Sequence, residues 1–165
     1  MIPLVEDAES IEAIRETLRK LVTDGLVPFN VGDNGGYLLE LGLVQAARAK
    51  LDAEADEASR YEADTEALRS VLEAAVEHED ISGKIRRLLR DVLPLDPELL
   101  GKSVRERRTI AGKDIRPGRS VVTAGTIRNH YEPKALDKLA RVLWVMEQEF
   151  QVEARSTHEA EDSDS

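Results

Sequence analysis

The stretch from Thr126 to Met146, TIRNHYEPKALDKLARVLWVM, decides the fold class of this chain. Its apolar residues recur at helical spacing, and those on one face are Leu136, Leu139, Ala140, Leu143 and Met146. This spacing predicts an amphipathic helix with one buried face. Pro133 fits the first turn of that helix better than its interior, because proline lacks the amide hydrogen that an interior position donates.

The same periodicity continues outward through the chain and predicts helices almost everywhere. We expect a first helix from Ser10 to Thr23, and two helices between 37 and 78 with an interruption in the Ala- and Glu-rich segment 52–66. Further helices are expected after the caps Ser82 and Ser103, and a short one is expected from Thr123 or Thr126 to Tyr131. Residues 26–31 are predicted to be extended and to lead into a Gly/Asn/Asp turn.

Composition and charge indicate the overall organisation. Aromatic residues make up only 4% of the chain, so the core must consist of aliphatic side chains, which suits helices packed on helices. We predict an all-α, compact bundle of five to seven helices with a helix-turn-helix-like C-terminal half. Residues 1–83 form its acidic part and 84–152 its basic part, packed together as one domain, and 153–165 form a disordered acidic tail.

Several classes of protein and site are excluded by residues that the chain lacks. There is no cysteine, so disulfides, thiol nucleophiles and cysteine-ligated zinc are ruled out. No apolar stretch approaches the roughly 20 residues that a membrane span needs, and the first eight residues do not resemble a signal peptide. We therefore expect a cytoplasmic protein that does not enter a membrane.

The basic island, residues 84–134, is the first candidate for a binding site. It holds thirteen Lys/Arg against six Asp/Glu, although the whole chain has a net charge of −10. A helix-turn-helix protein presents the start of its second helix to DNA, where Arg and Asn suit guanine and adenine edges. The residues expected to face bases or phosphates are Thr126, Arg128, Asn129 and His130. Those expected to hold the phosphate backbone are Arg105, Arg108, Lys113, Arg116 and Arg119.

A second interpretation of the basic island stays open. The acids of residues 1–83 could pair with Arg105, Arg107 and Arg108 inside the molecule. The loop 113–122 is also longer than the three or four residues of a helix-turn-helix turn. The function predicted first is that of a regulatory protein that binds DNA through the basic helix-turn-helix-like segment. The alternative function is a non-enzymatic adaptor whose basic face docks an acidic partner protein.

Enzymatic chemistry has little support in the sequence. His130 has no serine or cysteine partner pattern, and His78-Glu79-Asp80 lacks the second histidine of a zinc motif. We expect no catalytic residues, no metal and no cofactor. The Ala-rich face within 38–79 allows either packing inside the bundle or a homodimer.

The chain resembles a known helical module in its C-terminal half. The residues that carry the resemblance are Glu106-Arg107-Arg108, Thr126-Ile127-Arg128-x-x-x-Glu132 and Leu139-Ala140-x-x-Leu143, within about 84–146. This pattern is similar to a module common in uncharacterised actinobacterial proteins. The resemblance implies an all-helical unit like helix-turn-helix transcription regulators, without catalytic residues. The chain differs from the tight-turn regulators by the insertion Arg116-Pro117-Gly118-Arg119.

Overall fold

The architecture is that of a computed structural model, which describes residues 7–51, 57–116, 118 and 120–163. Its helices are α1 (Ala8–Asp24), α2 (Pro28–Asn34), α3 (Gly36–Leu39), α4 (Gly42–Lys50), α5 (Glu57–Val76), α6 (Gly83–Val92), α7 (Val104–Asp114), α8 (Ala124–Thr126) and α9 (Glu132–Ser163). A 3₁₀ turn (Pro97–Leu99) precedes α7, and a π-helical turn (Ile127–Tyr131) joins α8 to α9. The described residues include no strand, so the predicted all-α bundle is confirmed.

Side-chain caps fix where several helices begin. The Asp7 carboxylate accepts hydrogen bonds from the backbone amides of Glu9 and Ser10, so α1 begins at Ala8, two residues before the predicted start at Ser10. Ser82 caps α6, as predicted from the sequence. Ser103 and Glu106 form the predicted capping box of α7, in which each side chain satisfies a backbone amide of the other residue.

One hydrophobic cluster unites the N-terminal and C-terminal halves of the bundle. α1 packs along α9, α4 packs on α5 and α9, and α6 packs on α7 and α9. Leucines at the centre of this cluster are fully buried: Leu18, Leu21, Leu68, Leu72, Leu89, Leu139 and Leu143. The last helix is therefore the central element that contacts both the acidic and the basic part.

The prediction of an extended segment at 26–31 was wrong. Pro28 lies in the first turn of α2, where its fixed φ favours a helix, and Val31 is buried in the core. Gly32 is part of this helix rather than of a turn. A Cβ atom on Gly32 would lie 2.6 Å from the Tyr61 ring, so the missing side chain lets α2 approach α5.

The region expected to hold two helices contains three. α3 and α4 are separated by a short break at Glu40 and Leu41, and α5 follows from Glu57. Part of the expected interruption, 52–56, lies outside the described residues. The remainder of 52–66 belongs to α5, which buries Ala63 and Thr65 despite its weak apolar pattern.

The acidic tail has a different conformation from the one expected. Where the sequence suggested disorder over 153–165, α9 continues as helix to Ser163, and residues 164 and 165 lie outside the described residues. Ala and Glu favour helix, no glycine or proline interrupts the chain after Pro133, and a helix already nucleated in the core adds residues easily. At 32 residues, α9 is about 48 Å long.

Candidate functional site

The end of the basic island is continuously helical, because α8, the π turn and α9 follow one another without a break. The Thr123 hydroxyl accepts a hydrogen bond from the amide of Thr126 at 3.2 Å, so Thr123 is the cap and Thr126 lies inside the helix. The short and long helices predicted for this region are joined by the π turn. Glu132 donates its amide to the carbonyl oxygen of Ile127, five residues back. This wider turn precedes Pro133, whose ring would clash with a carbonyl group in a regular α-helix interior.

The loop after α7 docks back onto that helix at Gly112. The amide of Val122 donates to the carbonyl oxygen of Gly112 at 3.1 Å. A Cβ atom on Gly112 would lie 1.9 Å from the Val122 oxygen, so any side chain there would displace the loop. Ile127 is fully buried nearby. The long loop is thus fixed to α7, and it delivers α8 and the π turn to one side of it.

Arg107 holds three chain segments together from inside the protein. It is 2% exposed and donates to the backbone oxygens of Val92, Val22 and Lys102. Burial lowers the pKa of Arg107, and the neighbouring Arg108 guanidinium lowers it further. Its hydrogen-bonding partners are carbonyl groups at the ends of α1 and α6 and before α7, so it faces no external ligand.

Arg108 is engaged by a carboxylate within the basic island itself. Its Nε and Nη2 donate to the two Glu132 oxygens at 2.9 and 2.8 Å. The two side chains are only 13% and 5% exposed. The alternative of internal pairing therefore describes Arg108, although its partner lies on α9 and not in residues 1–83. The pair ties α7 to the residue that follows the π turn.

Two neighbouring concave surfaces meet at Arg108 and Arg128. The first, here called the arginine cavity, has a volume of about 460 Å³ and lies between α1, α7 and the π turn. Its charged lining residues are Arg15, Glu16, Arg19, Arg108, Arg128 and Glu132. The second, here called the α7–α8 groove, is lined by Val104, Arg105, Arg108, Thr123, Ala124, Gly125 and Arg128.

The structure brings some of the predicted binding residues together and separates others. Arg105 and Arg128 are exposed on the α7–α8 groove, and Asn129 lies beside Arg128 in the arginine cavity. Among the described residues, the guanidinium groups of Arg105 and Arg128 have no ion-pair or hydrogen-bonding partner. Thr126 is half-buried, and its hydroxyl accepts a hydrogen bond from the capping Thr123.

The remaining candidates lie away from the groove or outside the described residues. Lys113 is exposed near the end of α7, and the exposed Arg116 just after it donates to the Tyr131 hydroxyl at 2.9 Å. The Tyr131 ring also lies 5.8 Å from the ammonium group of Lys84. His130 is exposed. Arg119 lies outside the described residues.

Two arginines that the sequence analysis did not select, Arg15 and Arg19, line the arginine cavity from α1. Each pairs with a glutamate three residues earlier on the same helix, Glu12 at 2.6 Å and Glu16 at 3.0 Å. Their i, i+4 spacing places both on one face of α1 and is visible in the sequence. That face lies near Arg128 only because of how α1 packs on α9, and no sequence pattern in either segment indicates this proximity.

A buried carboxyl group links α6 to α7 on another side of the molecule. Asp91 is 2% exposed and is hydrogen-bonded to Asp114, which also accepts from Arg87 Nε at 3.3 Å. Burial raises the pKa of Asp91 to about 8, and the hydrogen bond with Asp114 contributes to the rise. Asp91 is therefore protonated near pH 7 and donates to Asp114. Among the described residues, nothing hydrogen-bonds to the second Asp91 oxygen.

Comparisons with known proteins do not assign this site. No protein-family model matches the chain, no curated protein matches it, and no solved structure matches it. None of the described helices is both long and apolar enough to cross a membrane. Over the described part of the chain, no three His, Asp or Glu side chains are grouped to hold a metal ion. The geometry of the two arginine-lined surfaces is what any functional interpretation must explain.

Proposed function

We propose that the protein is a non-enzymatic regulator that binds DNA through the α7–α8 groove. The observation that supports this most directly concerns Arg128. The other polar residues of the sequence pattern shared with the actinobacterial module have contacts that stabilise the fold. Glu106 caps α7, and Thr126 takes part in the cap of α8. Arg107 binds backbone carbonyl groups, and Arg108 pairs with Glu132. Arg128 is exposed and makes no such contact within the described structure.

The neighbourhood of Arg128 suits a phosphate backbone. Arg105 approaches the same groove from α7, so two guanidinium groups that have no partner in the described part of the chain border one concave surface. Small residues of α8, Ala124 and Gly125, line it between them and allow close approach of a ligand. Arginine forks bind phosphate oxygens in pairs of hydrogen bonds, and Asn129 supplies an amide that could bind an adenine edge.

Salt-dependent binding to duplex DNA tests this proposal. Fluorescence anisotropy at roughly 50 and 200 mM salt should show affinity falling on the order of a hundredfold if about four phosphates are contacted. Replacing both Arg105 and Arg128 with alanine should reduce the slope of log K against log salt by about 1.8. Helicity should be unchanged, because neither guanidinium group has a hydrogen-bonding or ion-pair partner among the described residues.

A matched variant separates a local effect from a change in net charge. Lys50→Ala with Arg60→Ala removes the same charge from exposed positions on α4 and α5. This control should bind DNA like the unmodified protein. The proposal would be contradicted if the protein did not bind DNA at low salt, or if both double variants weakened DNA binding equally.

A protein-interaction adaptor is the second candidate function. It is favoured by the internal contacts of the basic island, in which Arg86, Arg87, Arg90, Arg107 and Arg108 all bind acceptors within the protein. These contacts reduce the positive charge available to a polyanion. If the adaptor is correct, the Arg105/Arg128 double variant should lose an acidic partner protein in a pull-down, and duplex DNA should not bind.

A further inference from the structure

The arginine cavity has the size and lining of a small-molecule site. Its volume of about 460 Å³ falls within the range of roughly 300–1,000 Å³ typical of ligand pockets. Three separate parts of the chain form it, namely α1, the start of α7 and the segment from Arg128 to Leu136. Because α9 packs along α1, and the Arg108–Glu132 pair ties α7 to the start of α9, the walls are preformed.

The arginines of this cavity keep hydrogen-bonding capacity for a ligand. Arg15 uses Nε and Nη2 for Glu12, and Arg108 uses the same two nitrogens for Glu132. The Nη1 group of each has no acceptor within the described structure. Arg19 likewise uses Nε and Nη2 for Glu16, and the Arg128 guanidinium has no hydrogen-bonding partner among the described residues. The ion pairs thus hold the guanidinium groups in place without saturating them.

The charge and the apolar surface of the cavity indicate a ligand that has an anionic group and an apolar part. Four arginines and two glutamates line it, which leaves a net charge of +2. Both oxygens of Glu132 are already bound by Arg108, so this carboxylate does not repel an anion strongly. Val104, Pro133 and Leu136 supply an apolar surface beside the arginines.

We propose that the arginine cavity binds a small phosphorylated ligand that carries a ring, with a nucleoside monophosphate as its simplest representative. The phosphate would bind Arg15, Arg19 and Arg128, since planar guanidinium forks match phosphate oxygens. The ring would pack on Val104 and Pro133. This binding is independent of the proposed function, but Arg128 also borders the α7–α8 groove. If that function holds, the bound ligand competes with DNA for Arg128.

Titration calorimetry with the four ribonucleoside monophosphates, adenosine and inorganic phosphate tests the proposal. At least one nucleotide should bind with one-to-one stoichiometry and at least tenfold more tightly than adenosine or phosphate alone. Arg15→Ala with Arg19→Ala should weaken that binding at least tenfold, which corresponds to about 1.4 kcal/mol. The Arg19 side chain is exposed and that of Arg15 is half-buried, and each forms its ion pair with a glutamate of the same helix, so the variant should keep its helicity. No heat with any nucleotide, or unchanged affinity in this variant, would overturn the proposal.

Two further measurements distinguish this inference from the proposed function. Arg105→Ala should weaken DNA binding but leave nucleotide affinity unchanged, because Arg105 lines the groove and does not line the arginine cavity. The Lys50→Ala/Arg60→Ala control should bind nucleotide normally; a tenfold loss there would mean that only net charge matters and would overturn the proposal. Nucleotide binding without DNA binding contradicts only the proposed function, and DNA binding without nucleotide binding contradicts only the inference.

Discussion

Asparagine in place of Asp91 should change how the stability of the protein depends on pH. Burial raises the pKa of Asp91 to about 8 in the folded protein, whereas an aspartate in an unfolded chain has a pKa of about 3.9. Its folded pKa is raised, so the protonated group stabilises the fold fully at low pH. That contribution is lost as the pH rises from about 4 to 8, because only the unfolded chain ionises freely in this interval.

The magnitude follows from the two pKa values. Between these limits the free energy of unfolding falls by about 1.4 kcal/mol per pH unit, so Asp91 alone should lower it by about 3–4 kcal/mol between pH 5 and pH 8. Asparagine cannot ionise, has nearly the same shape and can still donate a hydrogen bond to Asp114. Asp91→Asn should therefore remove most of this loss.

Urea unfolding followed by circular dichroism at pH 5 and pH 8 measures the effect. The quantity compared is the change in the free energy of unfolding between pH 5 and pH 8 in each protein. Glu66→Gln is the control, because Glu66 is an exposed carboxylate on α5. The control should show the same change as the unmodified protein. If Asp91→Asn shows the same pH-dependent change, Asp91 is ionised in the folded protein and does not donate a hydrogen bond to Asp114.

Two substitutions at close contacts give further predictions for urea unfolding. Gly112→Ala should destabilise the protein by about 2 kcal/mol or more, because its Cβ atom would meet the backbone of the docked loop; Gly101→Ala, in open space, should cost far less. Glu147→Ala should cost about 1–3 kcal/mol, because the buried carboxylate accepts the Gly42 amide at 2.6 Å and caps α4. Glu149→Ala, at an exposed position of α9, should be nearly neutral, and equal losses would refute the capping role.

The elements that were predictable depend on neighbours along the chain. The Ser103 capping box and the apolar stripe from Leu136 to Leu143 are complete within a few residues, so their spacing was enough. The helix at Pro28–Asn34 was missed because Gly32 and Asn34 are typical of turns. There, packing of Val31 and the close approach of α5 outweigh local preference.

The candidate site was only partly predictable because its contacts are long-range. The sequence selected Arg105 and Arg128, which border one groove, but it could not separate them from Arg108. The difference lies in Glu132, a partner 24 residues away that engages Arg108 alone. The two arginines of α1 were missed for the same reason, since only tertiary packing brings them to the cavity.

The hydrogen bonds of Arg107 bear on whether the basic half of the chain can fold as a separate fragment. One of its acceptors, the carbonyl oxygen of Val22, lies 85 residues earlier at the end of α1. A fragment beginning after residue 83 would keep the guanidinium and lose that acceptor, together with the apolar face of α1 that covers α9. The basic half should therefore not fold as an autonomous unit, and co-expression with a fragment containing α1 should restore it.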